Sequence, residues 1–168
     1  MKFAVVVFPG SNCDHDAYHA ARHVLGQEAV FVWHKDSSLQ RADAVLLPGG
    51  FAHGDYLRTG AIARFSPIMQ AVRAHAEAGG LVIGICNGFQ ILCEAGLLPG
   101  VLMRNESLQF RCSDAYLVPA NATSPFTRSL DGARGYLMPV SHGEGRYFAD
   151  DATVAMLEDT DRVAFRYG

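Results

Sequence analysis

Residues 3–8, Phe-Ala-Val-Val-Val-Phe, form an unbroken apolar run that ends in Pro9-Gly10. A strand with one wet face alternates apolar and polar residues. A β-branched-rich run without alternation needs cover on both faces. The theme returns at Ala29 to Trp33, Ala44 to Leu47 and Leu81 to Ile85. Helix signals lie between these runs. Asp14 opens a helix expected to reach about Leu25, with Ala17, Ala20, Ala21 and Val24 on one face and Gly26 as its stop. Ser66-Pro67 reads as an N-cap followed by proline in the first turn, opening a helix to Ala78 that stops at Gly79-Gly80. A third helix is expected from about Asn87 to Ala95, closed by Gly96. Buried strands alternating with helices call for an α/β fold: an open, mostly parallel, flavodoxin-like sheet flanked by helices.

After Gly96 the rhythm changes. Short strand-like runs follow at Ala115 to Val118, Tyr136 to Val140, Thr153 to Leu157 and Val163 to Phe165. They are expected to add antiparallel strands to the same domain, so that residues 1–168 form one unit. Charged residues make up 18% of the chain, below the ~25% of an average soluble domain, which favours a well-filled core. The net charge of −3 speaks against a nucleic-acid partner. The run Phe3 to Phe8 is far short of the ~20 residues of a membrane-spanning helix. It also lacks the cleavage site of a signal peptide. Cys13, Cys86, Cys93 and Cys112 show no C-x-x-C spacing, so neither a disulfide framework nor a zinc site is expected. A reducing, cytoplasmic setting follows, and Asn105-Glu106-Ser107 and Asn121-Ala122-Thr123 are then chance matches to a glycosylation signal.

The sharpest chemical signal is Gly84-Ile85-Cys86-Asn87-Gly88, between a buried strand and a helix. That is the setting of a nucleophile elbow, in which a tight turn lifts one side chain above the carboxyl end of the sheet. A helix N-terminus carries partial positive charge, which favours an anionic sulfur over a thiol. A buried structural Cys beside a Gly-rich turn is the alternative. Leu47-Pro48-Gly49-Gly50-Phe51 also follows a strand, and its bare N–H groups suit an oxyanion formed by attack of Cys86. A plain turn reads the same residues equally well. Gly54-Asp55-Tyr56-Leu57-Arg58-Thr59-Gly60 extends this loop with charges that suit loop ordering.

Ser141-His142-Gly143-Glu144-Gly145-Arg146 offers either a base for Cys86 or a substrate-binding loop, and the residues alone do not choose. His15, His19 and His23 share a helix face. A solvent or partner face is the better reading than a metal site, because no carboxylate or Cys cluster joins them. No metal is therefore expected. Gly10-Ser11-Asn12 lacks the phosphate-loop and dinucleotide patterns.

Together these segments resemble the class I glutamine amidotransferases. The carrying residues are Phe8-Pro9-Gly10-Ser11-Asn12-Cys13-Asp14, Pro48-Gly49-Gly50-Phe51 with Gly54 to Gly60, Gly84 to Gln90, Arg104-Asn105-Glu106-Ser107 with Phe110, and Pro139 to Arg146. The resemblance spans essentially the whole chain. Within the class it is nearest to the small bacterial glutaminase subunits of phosphoribosylformylglycinamidine synthase. It implies that Cys86 attacks the carboxamide of L-glutamine, with the backbone N–H groups of Gly50 and Asn87 as the oxyanion hole. It implies that Gln90, Ser141, His142 and Gly143 bind glutamine, which puts His142 in a binding loop.

The implied partners are a large synthetase subunit that takes up the ammonia, and a third small subunit. The implied cofactors are none in this subunit, with ATP and Mg used by the synthetase. The family completes its triad with a His and a Glu in an H-P-E motif, which is absent from these 168 residues. His142-Gly143-Glu144 has the same spacing but matches the earlier binding loop. The expectation is a C-terminally truncated domain with little glutaminase activity alone. Two other readings use the same fold: a DJ-1/PfpI-like Cys enzyme or chaperone, and a catalytically dead docking subunit. Gln90 and the Ser141 to Arg146 loop speak against the first.

Overall fold

The computed structural model describes residues 1–168, which divide into two compact units, Met1–Val101 and Leu102–Gly168. The first unit is built on four parallel strands: β1 (Lys2–Val7), β2 (Glu28–Trp33), β3 (Ala44–Leu47) and β4 (Leu81–Gly84), in the order β2-β1-β3-β4. Val5 aligns with Phe31 on one side and Leu46 on the other, and Leu46 aligns with Ile83. Ala4, Val5 and Val6 are all fully buried, so β1 is covered on both faces, as its unbroken apolar run requires. The helices are α1 (Asp14–His19), α2 (Ile68–Glu77) and α3 (Asn87–Glu94). Phe8, Val45, Leu47, Ile68, Val72 and Ile91 share one cluster with Ala4 and Val6. Each such large side chain contributes roughly 1.5–3 kcal/mol by leaving water.

Two local expectations in the first unit are corrected. The first helix does continue past His19, but as a wide π-type turn over Ala20–Val24, with Leu25 N–H donating to Ala20 O at 2.9 Å. The wider turn rotates the helix face. Ala21 is buried, whereas Ala20 and Val24 of the expected apolar face are exposed. Ser66 does not cap α2 with its hydroxyl. Its Oγ lies 3.1 Å from His34 Nδ1, and α2 begins after Pro67 without a side-chain cap.

The second unit contains a three-stranded antiparallel sheet. Its central strand β6 (Arg111–Pro119) lies between β7 (Tyr136–His142) and β9 (Phe165–Tyr167). A two-stranded sheet joins β5 (Val101–Met103) and β8 (Arg146–Phe148). The strand expected at Thr153 to Leu157 is instead helix α4 (Asp151–Asp159). Asp150 is its N-cap, and its carboxylate accepts from Thr153 N–H at 2.8 Å. The cap outweighs the β-branched residues behind it. Both glycosylation-like asparagines, Asn105 and Asn121, are buried. No helix is long and apolar enough to cross a membrane.

Candidate active site

In an open parallel sheet the strand order reverses once, and the loops at the carboxyl ends of the strands surround that point. Here the loops leaving β1, β3 and β4 converge. Ser11 forms an antiparallel bridge with Gly50. Phe51 N–H donates to Gly10 O at 3.1 Å and Cys13 N–H to Gly49 O at 3.3 Å. These bonds hold the β3 loop against the β1 loop without using the Gly50 N–H. Gly50 has φ +129°, and a Cβ there would meet Asn12 N at 2.6 Å. Only glycine fits that position.

Cys86 follows β4 and caps α3, at φ 53° and ψ −112°. This conformation is costly for any residue with a Cβ and persists only where its surroundings fix it. Here the surroundings do so. Ile85 N–H donates to Leu47 O at 3.0 Å, extending the strand ladder by one residue. Phe89 and Gln90 N–H then fold back onto Cys86 O at 3.0 and 3.2 Å. A Cβ on Gly88 would lie 1.9 Å from Leu47 O, so α3 rests on the β3 backbone itself. The elbow glycine is a packing requirement as much as a turn requirement. The Cys86 side chain is exposed. A Cβ built on Gly49 would be 3.3 Å from Cys86 Cβ, which puts the sulfur-bearing carbon beside the Gly-Gly turn. The Asn87 N–H stands in the first turn of α3, where helix amides lack internal acceptors.

The Asn87 side chain is buried and ties the site together. Its Oδ1 accepts from Ala52 N–H at 3.0 Å. Its Nδ2 donates to Asp55 Oδ1 at 3.2 Å and to Gln90 Oε1 at 3.0 Å. Gln90 is itself only 8% exposed. Arg58 reaches the far end of α3, where its Nε and Nη2 donate to the Glu94 carboxylate at 2.6 and 2.9 Å. Thus Gly50, Cys86, Asn87 and Gln90 come together, as the sequence reading expects. The part played by Asp55 in anchoring Asn87 was not legible from sequence.

Cys13 also stands at this site, a placement that its position in the sequence does not signal. Its Sγ lies 3.4 Å from the Gly49 Cβ position and donates to Asn12 Oδ1 at 3.5 Å. Burial pushes its thiol up, aided by the negative charge of Asp16, the Cys86 sulfur and Asp14. Cys93, on the buried side of α3, is pushed by burial to about 11. Cys86 and Cys93 thus occupy opposite settings on one helix. Behind the β3 loop, the His34 and His53 rings meet edge to face at 5.2 Å. Burial lowers both below the ordinary histidine value, with His53 and then Lys35 adding to the effect on His34. The face of His15, His19 and His23 is exposed. The His15 ring packs on Phe31 at 5.1 Å, and no group of three or more His, Cys, Asp or Glu side chains could hold a metal ion.

In the second unit, Ser141 and His142 end β7 and Gly143 follows it. Asn105 N–H donates to Gly143 O at 2.9 Å, and the His142 Nδ1 lies 3.0 Å from Asn105 Oδ1. Arg146 pairs with Glu106 at 3.1 Å. The two motifs quoted from sequence, 104–107 and 141–146, therefore form one bonded structure.

The CobB/CobQ-like glutamine amidotransferase domain matches residues 1–168. The chain is similar to the phosphoribosylformylglycinamidine synthase subunit PurQ of Salinibacter ruber, with 63% identity over 99% of this chain and 71% of that protein. Its similarity to the same subunit of Moorella thermoacetica is 56%, again over 99% of this chain and 71% of that protein. Among solved structures it resembles PurLQS from Thermotoga maritima, at 41% identity and a TM-score of 0.87, covering 99% of this chain and 74% of that one. A putative GMP synthase protein from Thermoplasma acidophilum, 16% identical with a TM-score of 0.55 over 86% of this chain and 65% of that one, shares the fold. The chain belongs to the glutamine amidotransferases, in the family of the PurQ subunits of phosphoribosylformylglycinamidine synthase.

Proposed function

We propose that this chain is the glutaminase subunit of a phosphoribosylformylglycinamidine synthase, with Cys86 as its nucleophile. The observation that carries the assignment of Cys86 is its left-handed conformation at the head of α3, exposed and beside Gly49-Gly50. The Cys86 sulfur attacks the carboxamide carbon of L-glutamine, and the carbonyl oxygen becomes an oxyanion. The N–H groups of Gly50 and Asn87 donate to it. Two such donors held rigid in advance stabilise the developing charge without reorganisation. The C–N bond breaks, the NH2 leaves as ammonia with the proton that the Cys86 thiol gave up, and a thioester remains on Cys86. Water then cleaves the thioester to glutamate and restores the thiol. Gln90, Ser141, His142 and Gly143 bind the glutamine. The His and Glu of the family's H-P-E motif, which move these protons, are not among the 168 residues.

The ammonia passes to a large synthetase subunit, which uses ATP and Mg to convert formylglycinamide ribonucleotide to formylglycinamidine ribonucleotide in purine synthesis. A third small subunit helps the complex assemble. The glutaminase subunit needs no cofactor of its own, because thioester chemistry is complete with a sulfur nucleophile and water. The cytoplasm is the proposed location, in keeping with four free cysteines. The test is glutamate release by the full-length chain assembled with its synthetase. Cys86→Ala is expected to abolish glutamine-dependent synthesis. Undiminished glutamine use by that variant would refute the assignment.

A further inference from the structure

Asn105 lies just after β5 and is only 7% exposed, yet its whole carboxamide is engaged. Its Nδ2 donates to Gln109 O at 2.9 Å and to His142 O at 3.0 Å. Its Oδ1 accepts from Gly145 N–H at 3.1 Å and lies 3.0 Å from His142 Nδ1. The backbone fixes which way this amide points. Carbonyl oxygens only accept, so the NH2 must face Gln109 and His142 O. A peptide N–H only donates, so the oxygen must face Gly145. The ring nitrogen beside that oxygen is then obliged to donate. Neutral His142 carries its proton on Nδ1, and Nε2 keeps its lone pair. Gly145 closes the arrangement, since a Cβ there would lie 2.2 Å from His142 Nδ1.

We propose that Asn105 is a positioning residue for glutamine binding. It holds His142 as the Nδ1–H tautomer and thereby presents Nε2 as an acceptor to an N–H donor of the substrate. The proposal rests on the reading of 141–143 as the glutamine-binding loop. Without Asn105, the neutral ring returns toward the Nε2–H form that predominates in free histidine. It would then meet the substrate donor with another donor. Such a mismatch penalises substrate binding more than turnover of the bound complex.

The test uses the full-length chain labelled with 15N-histidine, observed by long-range 1H–15N correlation. A His142→Gln sample assigns the signals. At about pH 8.5 the His142 ring is expected to show a protonated Nδ1 and a bare Nε2. Asn105→Ala is expected to shift the ring toward Nε2–H, while Asn105→Asp, which retains an acceptor, keeps Nδ1–H. In the assembled synthase, Asn105→Ala is expected to raise the glutamine KM about tenfold or more while kcat falls less than about threefold, and Asn105→Asp to recover part of the loss. A parent ring protonated on Nε2, or an unchanged KM in a variant whose tautomer has switched, would overturn the proposal. The parent spectrum decides the tautomer even where Asn105→Ala does not fold. A parent enzyme that cannot use glutamine would contradict the functional reading instead, and the spectrum would still decide the tautomer.

Discussion

The two units hold their functional loops by different means. In Met1–Val101 the site rests on a buried apolar sheet, and the key approaches are backbone against backbone: Gly88 on Leu47, Gly50 on Asn12. In Leu102–Gly168 only Leu102 is among the buried apolar residues. Order there comes from buried asparagines. Asn105 fastens the 141–145 loop, and Asn121 Oδ1 accepts from Thr123 N–H at 2.7 Å and Ser124 N–H at 2.6 Å. Apolar packing fixes Cys86, the proposed nucleophile, which must not move during bond formation. Hydrogen bonds fix the 141–145 loop, whose proposed task is only to bind.

Substitutions in each unit test this contrast. The largest expected effect is on chemistry. Cys86→Ala should lower glutamine-dependent turnover by about three orders of magnitude or more, read as glutamate release. Cys93→Ala, on the same helix but buried, should retain turnover. Next comes Gly88→Ala, whose methyl collides with a strand carbonyl. It should cost at least about 3 kcal/mol in denaturant unfolding, because neither backbone can yield cheaply. Asn87→Ala leaves the Ala52 N–H without its acceptor and should cost about 2–3 kcal/mol. Asn121→Ala should cost about 2 kcal/mol, and hydrogen exchange should show the loss confined to the second unit. Equal loss of protection in the first unit would erase the contrast.

The smallest effect is pH-dependent. His34 and His53 titrate below the ordinary value of 6.5 in the folded chain. The unfolded chain therefore binds protons first, and folded stability falls as pH drops through and below 6.5. Amide protection factors in the loop carrying His53, corrected for the slower intrinsic exchange in acid, should fall over that range, and His34→Phe should blunt the change.

Much of the first unit was legible because its signals are local and redundant. An unbroken apolar run means a strand covered on both faces, and Gly-x-Cys-x-Gly after such a strand means an elbow. What escaped depended on geometry that sequence spacing does not encode. The π-type turn after His19 rotated an apolar face that ideal helical periodicity had placed elsewhere. Ser66 looked like a cap but binds His34, a residue distant in sequence. Thr153 to Leu157 looks like a strand, whereas the Asp150 cap sets it as a helix. Cys13 and Asp55 joined the site only when loops from three strands met. Asn105 looked like part of a motif, but its bonds to both sides of His142 were invisible until the chain was folded.

On the proposed mechanism Cys86 alone among the four cysteines reacts with glutamine. Treating the full-length chain, assembled with its synthetase, with the glutamine analogue diazo-oxonorleucine and mapping adducts by mass spectrometry tests this. One stoichiometric adduct on Cys86, prevented by excess glutamine and absent from Cys13, Cys93 and Cys112, is the expected result. An unmodified Cys86, or a glutamine-protected adduct on another residue, would rule out Cys86 as the nucleophile.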